Sequence, residues 1–284
     1  MSAPTFSGSV PRVYHACLGP LLFEAYAKDM VARFATLAPK RLLETACGTG
    51  IVTKELARAL PNAAITATDL SAPMIEVAKE YVTAQAASPA SAVAAHAAIT
   101  FHATDACSLP FADASFDAIA CQYGVMFYPD KVKGMQEARR VLAKGGRYIF
   151  NVWDALAHNP IPRVVQETFE RLFPMNPPKF IPTMPFGWSD RAEIERVTRA
   201  GGFANVTIES LSFPSVSPSA ADAAKGWVEG TPNAAVLAAV LAERGDNTPE
   251  AIATVREAVR QALAKNFGES PCQSTMQAVV VTAW

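Results

Sequence analysis

The sequence predicts an α/β protein built on a doubly wound, seven-stranded, mainly parallel sheet, with a helical cap before the first strand and lid insertions toward the C-terminus. Three observations predict it. Short β-rich runs alternate with helical ones through residue 153, a glycine-bearing loop joins the first strand to its helix, and an acidic residue ends the second strand. Strand and helix alternating this way give parallel pairing with helices on both faces, and the right-handed crossover fixes the winding.

Leu22, Tyr26, Met30 and Phe34 recur four apart, which draws an apolar stripe along a helix over residues 18–37. "RLLETA" is the first strand and "IVTKELARAL" its helix, closed by Pro61. "AAITATDL" is the second strand, after which Ser71 caps a helix carrying Pro73 in its first turn. "AITFHATD" and "SFDAIACQYG" are the third and fourth strands, "KVKGMQEARRVL" a helix and "GGRYIFNVW" the fifth strand. Residues 1–153 thus hold the cap and the first part of the core. Over 154–189 proline and aromatic residues break the rhythm, and an irregular insert there, past a strand's C-terminal end, is placed to act as a lid. Residues 190–284 resume the core with "DRAEIERVTRAGGF" as helix and "ANVTIESLSF" as strand. A helical insertion follows over 218–267, where Thr248 caps a helix begun by Pro249, and "TMQAVVVTAW" closes the sheet.

Of the 284 residues half are apolar and 18% charged, the balance of a soluble enzyme. Lys+Arg 25 against Asp+Glu 26 gives a net charge of -1 without a basic cluster, which argues against nucleic acid as a partner. The N-terminus lacks a basic start followed by an apolar block, so no secretory signal is expected. The longest apolar run, "AAVLAAVLA" from Ala234, is about half of the ~20 residues a membrane span needs, so no transmembrane segment is expected. Five cysteines (Cys17, Cys47, Cys107, Cys121, Cys272) form no CxxC pair and are odd in number, which fits a reducing cytoplasm. His15, His96, His102 and His158 lack ligand spacing, so no metal is expected; His96 and His102 read as surface or strand residues.

The chemistry concentrates in "ETACGTG", Glu44 to Gly50. Gly48 and Gly50 let the backbone turn sharply beneath a ligand while the next helix aims its N–H groups at the site. A dinucleotide fingerprint needs glycine where Thr53 stands, and a phosphate loop needs GK[ST], which is absent. Glu44 would repel a pyrophosphate but suits an ammonium. Asp69 ends the second strand, where it can accept both hydroxyls of a ribose or, equally, cap the next helix with Ser71. Leu70 and Met74 would then flank an adenine, and Asp105 with Ala106, after the third strand, can pair with its amino group and a ring nitrogen.

Glu44 with "ACGTG", Asp69, "DACSLPF", "SFDAIACQYGVMFYPD" and "EARRVLAKGGRYIF", in that order, resemble the successive motifs of class I S-adenosylmethionine-dependent methyltransferases. The similarity covers roughly residues 12–153. It lies with the small-molecule branch that includes ubiquinone and menaquinone biosynthesis methyltransferases, and it implies a Rossmann-like methyltransferase fold. The resemblance implies that Glu44, Gly48 and the loop hold the methionine portion of S-adenosylmethionine, Asp69 its ribose, and Asp105 with Ala106 its adenine. Gln122, ending the fourth strand, would face the methyl group, Tyr14 on the cap would close over the methionine end, and S-adenosylhomocysteine would be the product. Ala46 stands where many relatives carry the first glycine of the loop, a small-for-small departure that narrows the turn.

The partner implied is a small-molecule methyl acceptor, aromatic or quinone-like. Tyr123, Trp153, Phe186 and Trp188 are candidates to line a flat apolar pocket for it, and the same aromatics can equally pack a lid shut. His158, opening the insert, and His15, on the cap, are rival general-base candidates, needed only for an acceptor that must lose a proton. "NPPK" at Asn176 reads as a rigid turn, far downstream of the fourth strand. A nicotinamide-dependent oxidoreductase and a catalytically silent donor-binding regulator stay open as alternatives, as does a homodimer.

Overall fold

The computed structural model describes residue 6 and residues 8–86 and 98–284, which leaves His96 and most of the Ala-rich stretch before the third strand outside the described residues. Seven strands form one sheet: β1 (Arg41–Thr45), β2 (Ala64–Asp69), β3 (Ala98–Ala103), β4 (Phe116–Gln122), β5 (Leu142–Trp153), β6 (Val206–Ser217) and β7 (Cys272–Ala283). Their order is β3-β2-β1-β4-β5-β7-β6. The first five pair in parallel, and β7 runs antiparallel to both β5 and β6. The final strand, expected to close the sheet, therefore lies inside it, and β6 forms the edge.

The chain winds outward from β1 to β3 and then returns to place β4 on the other side of β1. That reversal splits the helices apart above the C-terminal ends of β1 and β4, which makes the crevice where ligands of such sheets bind. β1 lies under helices on both faces, and Leu42 and Leu43 are wholly buried. The helices of the first half are α3 (Ile51–Ala59), α4 (Ala72–Ala86) and α5 (Lys131–Val141), which Asp130 caps by accepting from the Lys133 N–H at 2.9 Å.

The cap differs from the expected straight helix. A short α1 (Val10–Val13) leads into a π-helical stretch, Tyr14–Phe23, and only then into α2 (Glu24–Leu37). Pro20 inside the stretch has no N–H to offer, and the Glu24 N–H reaches back five residues to the Gly19 carbonyl. A missing donor widens the winding from four residues to five per bond. Tyr26, Met30 and Phe34 still form the buried stripe. The Tyr26 hydroxyl donates to the Met276 carbonyl, and the Ser215 hydroxyl donates to the Leu21 carbonyl at 2.7 Å, so cap and far sheet half are joined.

Residues 154–189 are more helical than expected. α6 (Pro160–Leu172) and the short α7 (Phe180–Thr183) occupy much of the segment. Pro160 stands at the first position of α6, where its missing N–H costs nothing, and Ile161, Val165 and Phe169 bury one face. α8 (Arg191–Ala200) starts at Asp190, whose carboxylate accepts from the Ala192 N–H at 2.8 Å. α9 (Ala220–Glu229), α10 (Asn233–Glu243) and α11 (Pro249–Phe267) form the expected helical insertion, and the Thr248 hydroxyl caps α11 by accepting from the Ala251 N–H at 3.1 Å. α9 packs directly on the π-helical cap, where a Cβ on Gly226 would come within 2.6 Å of Leu18.

Close backbone approach also ties α8 to α5. A Cβ on Gly201 would lie 2.1 Å from the Met135 Cβ and 3.0 Å from its carbonyl carbon. Gly201→Ala is expected to lower unfolding free energy by about 1–3 kcal/mol through overpacking, measured by urea denaturation.

Candidate functional site

The loop between β1 and α3 closes by two backbone bonds, Cys47 N–H to the Thr68 carbonyl at 2.9 Å and Gly50 N–H to the Cys47 carbonyl at 3.0 Å. Three of its residues adopt left-handed backbone: Ala46 at φ 53°, Gly48 at 55° and Gly50 at 81°. Gly50 has a second reason to be glycine, since a Cβ there would lie 3.0 Å from that of Ala78 on α4. In front of Gly48 the opposite holds, and a Cβ would meet no atom within 4 Å. That space is left for something other than protein. The narrowing by Ala46 is accommodated across the crevice by Gly124, where a Cβ would sit 2.4 Å from the Ala46 methyl.

Two carboxyl groups flank the loop from adjacent strand ends. Glu44 on β1 is 1% exposed and accepts a hydrogen bond from the Thr53 hydroxyl at 2.6 Å. Burial pushes its pKa up to about 8, with a smaller push from Asp69, and the Thr53 hydroxyl only partly opposes this. A buried acid in this state gains strongly from a cation brought beside it. Thr53, whose presence breaks the dinucleotide fingerprint, is thus the residue that holds this carboxyl.

Asp69 on β2 takes up the helix-starting role and adds a second one within the protein. One oxygen accepts from the Gly48 N–H at 2.9 Å and the other from the Ser71 N–H at 2.8 Å, so it braces the loop and starts α4 together. Burial raises its pKa, against the two backbone N–H groups. The Ser71 hydroxyl accepts from Met74 N–H at 3.4 Å and donates to the Phe6 carbonyl at 2.9 Å, which ties the N-terminal residues to α4. Leu70 is 61% exposed, while Met74 is buried. Asp105 accepts from the Cys107 N–H at 2.8 Å and Ala106 packs partly buried on the core.

Among the expected residues Tyr14, Glu44, Ala46, Gly48 and Gln122 line one cleft that opens to solvent, and Gly50, Asp69, Leu70, Met74, Asp105 and Ala106 lie outside its lining. Gln122 donates to the Phe23 carbonyl at 3.2 Å, and its buried Oε1 has no partner. Burial, with Asp69 adding to it, raises the Tyr14 phenol far above its ordinary value, so that group stays protonated. Phe23 and Thr49 also line the cleft and were not picked out from the sequence. Thr49 lay inside the quoted motif, whereas Phe23 carried no local signal.

The two imidazoles occupy different surroundings. His15 Nδ1 lies 2.9 Å from the Thr49 hydroxyl, and its ring meets Tyr81 edge-on at 4.2 Å. Burial lowers its pKa, with the Lys54 ammonium adding to the effect. His158 has a 54% exposed side chain and faces Asp154 at 3.5 Å, outside the residues that line the cleft. Of the acceptor-pocket candidates, Tyr123 lies flat on Trp153 at 3.8 Å and Phe186 covers Trp153 at 6.0 Å. All three are buried; Trp188 stands apart, half-buried under the Lys131 ammonium.

A parallel sheet with an antiparallel seventh strand inside it, a glycine loop after β1 and acidic residues ending β1 and β2 define the class of methyltransferase folds. The comparisons agree. A model of the methyltransferase domain matches residues 43–150. The demethylmenaquinone methyltransferase of Deinococcus radiodurans is 31% identical over 137 residues, covering 48% of this chain and 53% of that protein. That of Staphylococcus aureus is 30% identical over 199 residues, covering 65% of this chain and 75% of that one. The chain therefore spans about half the length of the first relative and three quarters of the second. Phosphoethanolamine N-methyltransferase 2 of Haemonchus contortus, solved with phosphomonomethylethanolamine and S-adenosylhomocysteine, superposes with a TM-score of 0.57 at 16% identity. The superposition covers 96% of this chain and 56% of that one. The chain belongs to the methyltransferase domain family.

Folded Glu44 keeps its proton up to about pH 8, while the unfolded carboxyl loses it near its ordinary value of 4.5. Between those values the folded state binds the extra proton, so stability falls as pH rises across this window. The Tm of the ligand-free protein is expected to drop by several degrees between about pH 5.5 and 8. In Glu44→Gln, which cannot ionise, the profile should be flatter by differential scanning calorimetry.

Proposed function

We propose that the protein is an S-adenosylmethionine-dependent methyltransferase acting on a small planar aromatic or quinol-like acceptor. The observation that carries this reading is the pairing of two carboxyls, the buried Glu44 and the partly buried Asp69, around a loop whose Gly48 faces open space. A ligand bearing an ammonium at one end and a ribose at the other complements them. Thr53, standing where a dinucleotide site needs glycine, and the buried Glu44 both count against a nicotinamide cofactor.

When bound, the sulfonium donor supplies an activated methyl group that departs in an in-line displacement. Glu44 would hold the ammonium and give up its own proton in doing so. Asp69, with two N–H groups already fixing its orientation, would accept from the ribose hydroxyls through its remaining lone pairs. Leu70 would cover the adenine from the rim, Met74 would meet its other side, and Asp105 with Ala106 would pair with its edge. Gln122 would face the reacting end with its unpartnered oxygen. Tyr14 and Phe23 exclude water there, and aligning two reactants in this way supplies roughly 7–11 kcal/mol.

Where the acceptor must lose a proton, His15 is the base candidate joined to the cleft, through Thr49, and His158 would need the 154–189 segment to bring it inward. The quinol-like acceptor is supported by the names of the relatives and by the flat, stacked rings of Trp153 and Tyr123, with Phe186 lying over Trp153.

Calorimetric titration with S-adenosylhomocysteine and NADH tests the reading. The sulfur ligand should bind with micromolar-range affinity, roughly −8 kcal/mol, and NADH should not. Asp69→Ala should weaken the sulfur ligand by at least about tenfold, the loss of two charge-assisted hydrogen bonds. Binding of NADH alone would replace this reading with an oxidoreductase.

A further inference from the structure

Phe23 stands between the cleft and a buried aromatic pair. On one side it lines the donor cleft. On the other its ring lies 5.7 Å from Tyr123 and 6.3 Å from Trp153, the flat pair that stacks at 3.8 Å with 11° between planes. Remove that one ring and the cleft would open onto the stack.

The stack itself is rigid. Trp153 ends β5 in register with Ala278 of β7, and the Tyr123 N–H is held by both the carbonyl and the Oδ1 of Asn151, at 3.1 and 3.0 Å. Phe23 is placed differently. It ends the π-helical stretch that contains Pro20, a winding that is rare and recurs at functional positions. Its ring stacks on Tyr14 at 4.9 Å.

Tyr123 shows two features that packing alone does not explain. Its backbone sits at φ 55°, a costly conformation for a bulky residue, and one that strain at binding sites often accounts for. Its buried hydroxyl has no hydrogen-bond partner, and the neighbouring Tyr26 hydroxyl gives its own proton to Met276 and not to Tyr123. The preceding residue, Gln122, also carries a buried oxygen without a partner. Unpartnered polar atoms on consecutive residues at one strand end, beside a cleft, mark a place for a polar ligand.

Resting on the methyltransferase reading, we propose that Phe23 is the gate of the acceptor subsite and that Tyr123 determines specificity within it. A planar aromatic acceptor takes the place of the Phe23 ring against the Tyr123–Trp153 pair, and its ring oxygen accepts the Tyr123 hydroxyl proton. The acceptor then lies next to Gln122, at the reacting end of the cleft. Aromatic rings without oxygen fit the same space but leave the hydroxyl unpaired, and this difference is the basis of selection.

Equilibrium dialysis of 2-naphthol and of naphthalene against the protein saturated with S-adenosylhomocysteine tests this. Tyr123→Phe should weaken 2-naphthol by about 5- to 10-fold and leave naphthalene unchanged. Phe23→Ala should tighten both probes by about 2- to 10-fold, because no stacked ring has to be displaced. Should Phe23→Ala fail to fold, Phe23→Leu serves in its place and should tighten both in the same direction. An unchanged ratio between the probes in Tyr123→Phe, or weaker binding of both in the Phe23 variants, overturns the inference. The two readings fail separately: if the wild type does not bind S-adenosylhomocysteine the methyltransferase reading falls, and if it does while the probe ratio stays fixed only the gate and its specificity residue fall.

Discussion

The burial of Glu44 at the end of β1 is the constraint on which the site depends. A carboxyl with 1% exposure cannot be ionised cheaply, and a single hydroxyl from Thr53 does not compensate for the lost water. The chain tolerates the group because it stays protonated while the cleft is free of ligand. The same burial makes it a strong partner for a cation, because the ion pair would form where solvent screens little. Gly48 and Gly50 follow from this placement, since the loop must pass over Glu44 and still leave room for a ligand against it. Asp69 completes the arrangement by tying that loop to β2.

What surrounds the loop is held by contacts from distant parts of the chain. The cap reaches the sheet through Tyr26 and Leu21, and it reaches the cleft through Tyr14, His15 and Phe23. These three lie on one π-helical stretch, so a change in its winding would alter the cleft and the aromatic stack behind it together. The helical insertion packs against this same stretch through Gly226. The 154–189 segment adds Phe186 on the far side of Trp153. Ring-on-ring contacts of this kind are individually weak, about 0.5–1.5 kcal/mol each beyond their area, which suits surfaces that must part and close again.

Much of the fold was legible because it is written in local pattern. Alternating β-rich and helical runs placed all seven strands, Thr248 and Ser71 announced their helices, and the glycine loop with Glu44 marked a wall of the cleft. Four features were not legible. Pro160 and Pro162 read as breakers in the 154–189 segment although proline in a first turn is compatible with a helix, and α6 begins there. The interior position of β7 depends on strand pairing across the whole chain, which no local pattern carries. Phe23 and Gln122 meet across 99 residues, so the wall of the cleft emerges only when the cap folds back on β4. The π-helical winding was hidden because the stripe from Leu22 to Phe34 fits an ordinary helix, and only Pro20 hints at the difference.

The most direct test of the account is the number of protons released when S-adenosylhomocysteine binds at pH 7, measured by calorimetric titration in two buffers of different ionisation enthalpy. With the Glu44 carboxyl pushed up to about 8, the free protein holds that proton at pH 7 and should release close to one on taking up the ligand's ammonium. Glu44→Gln should release almost none. Equal proton release from the wild type and Glu44→Gln would contradict the account, because it would mean that the buried carboxyl at the end of β1 does not meet the ligand's charge.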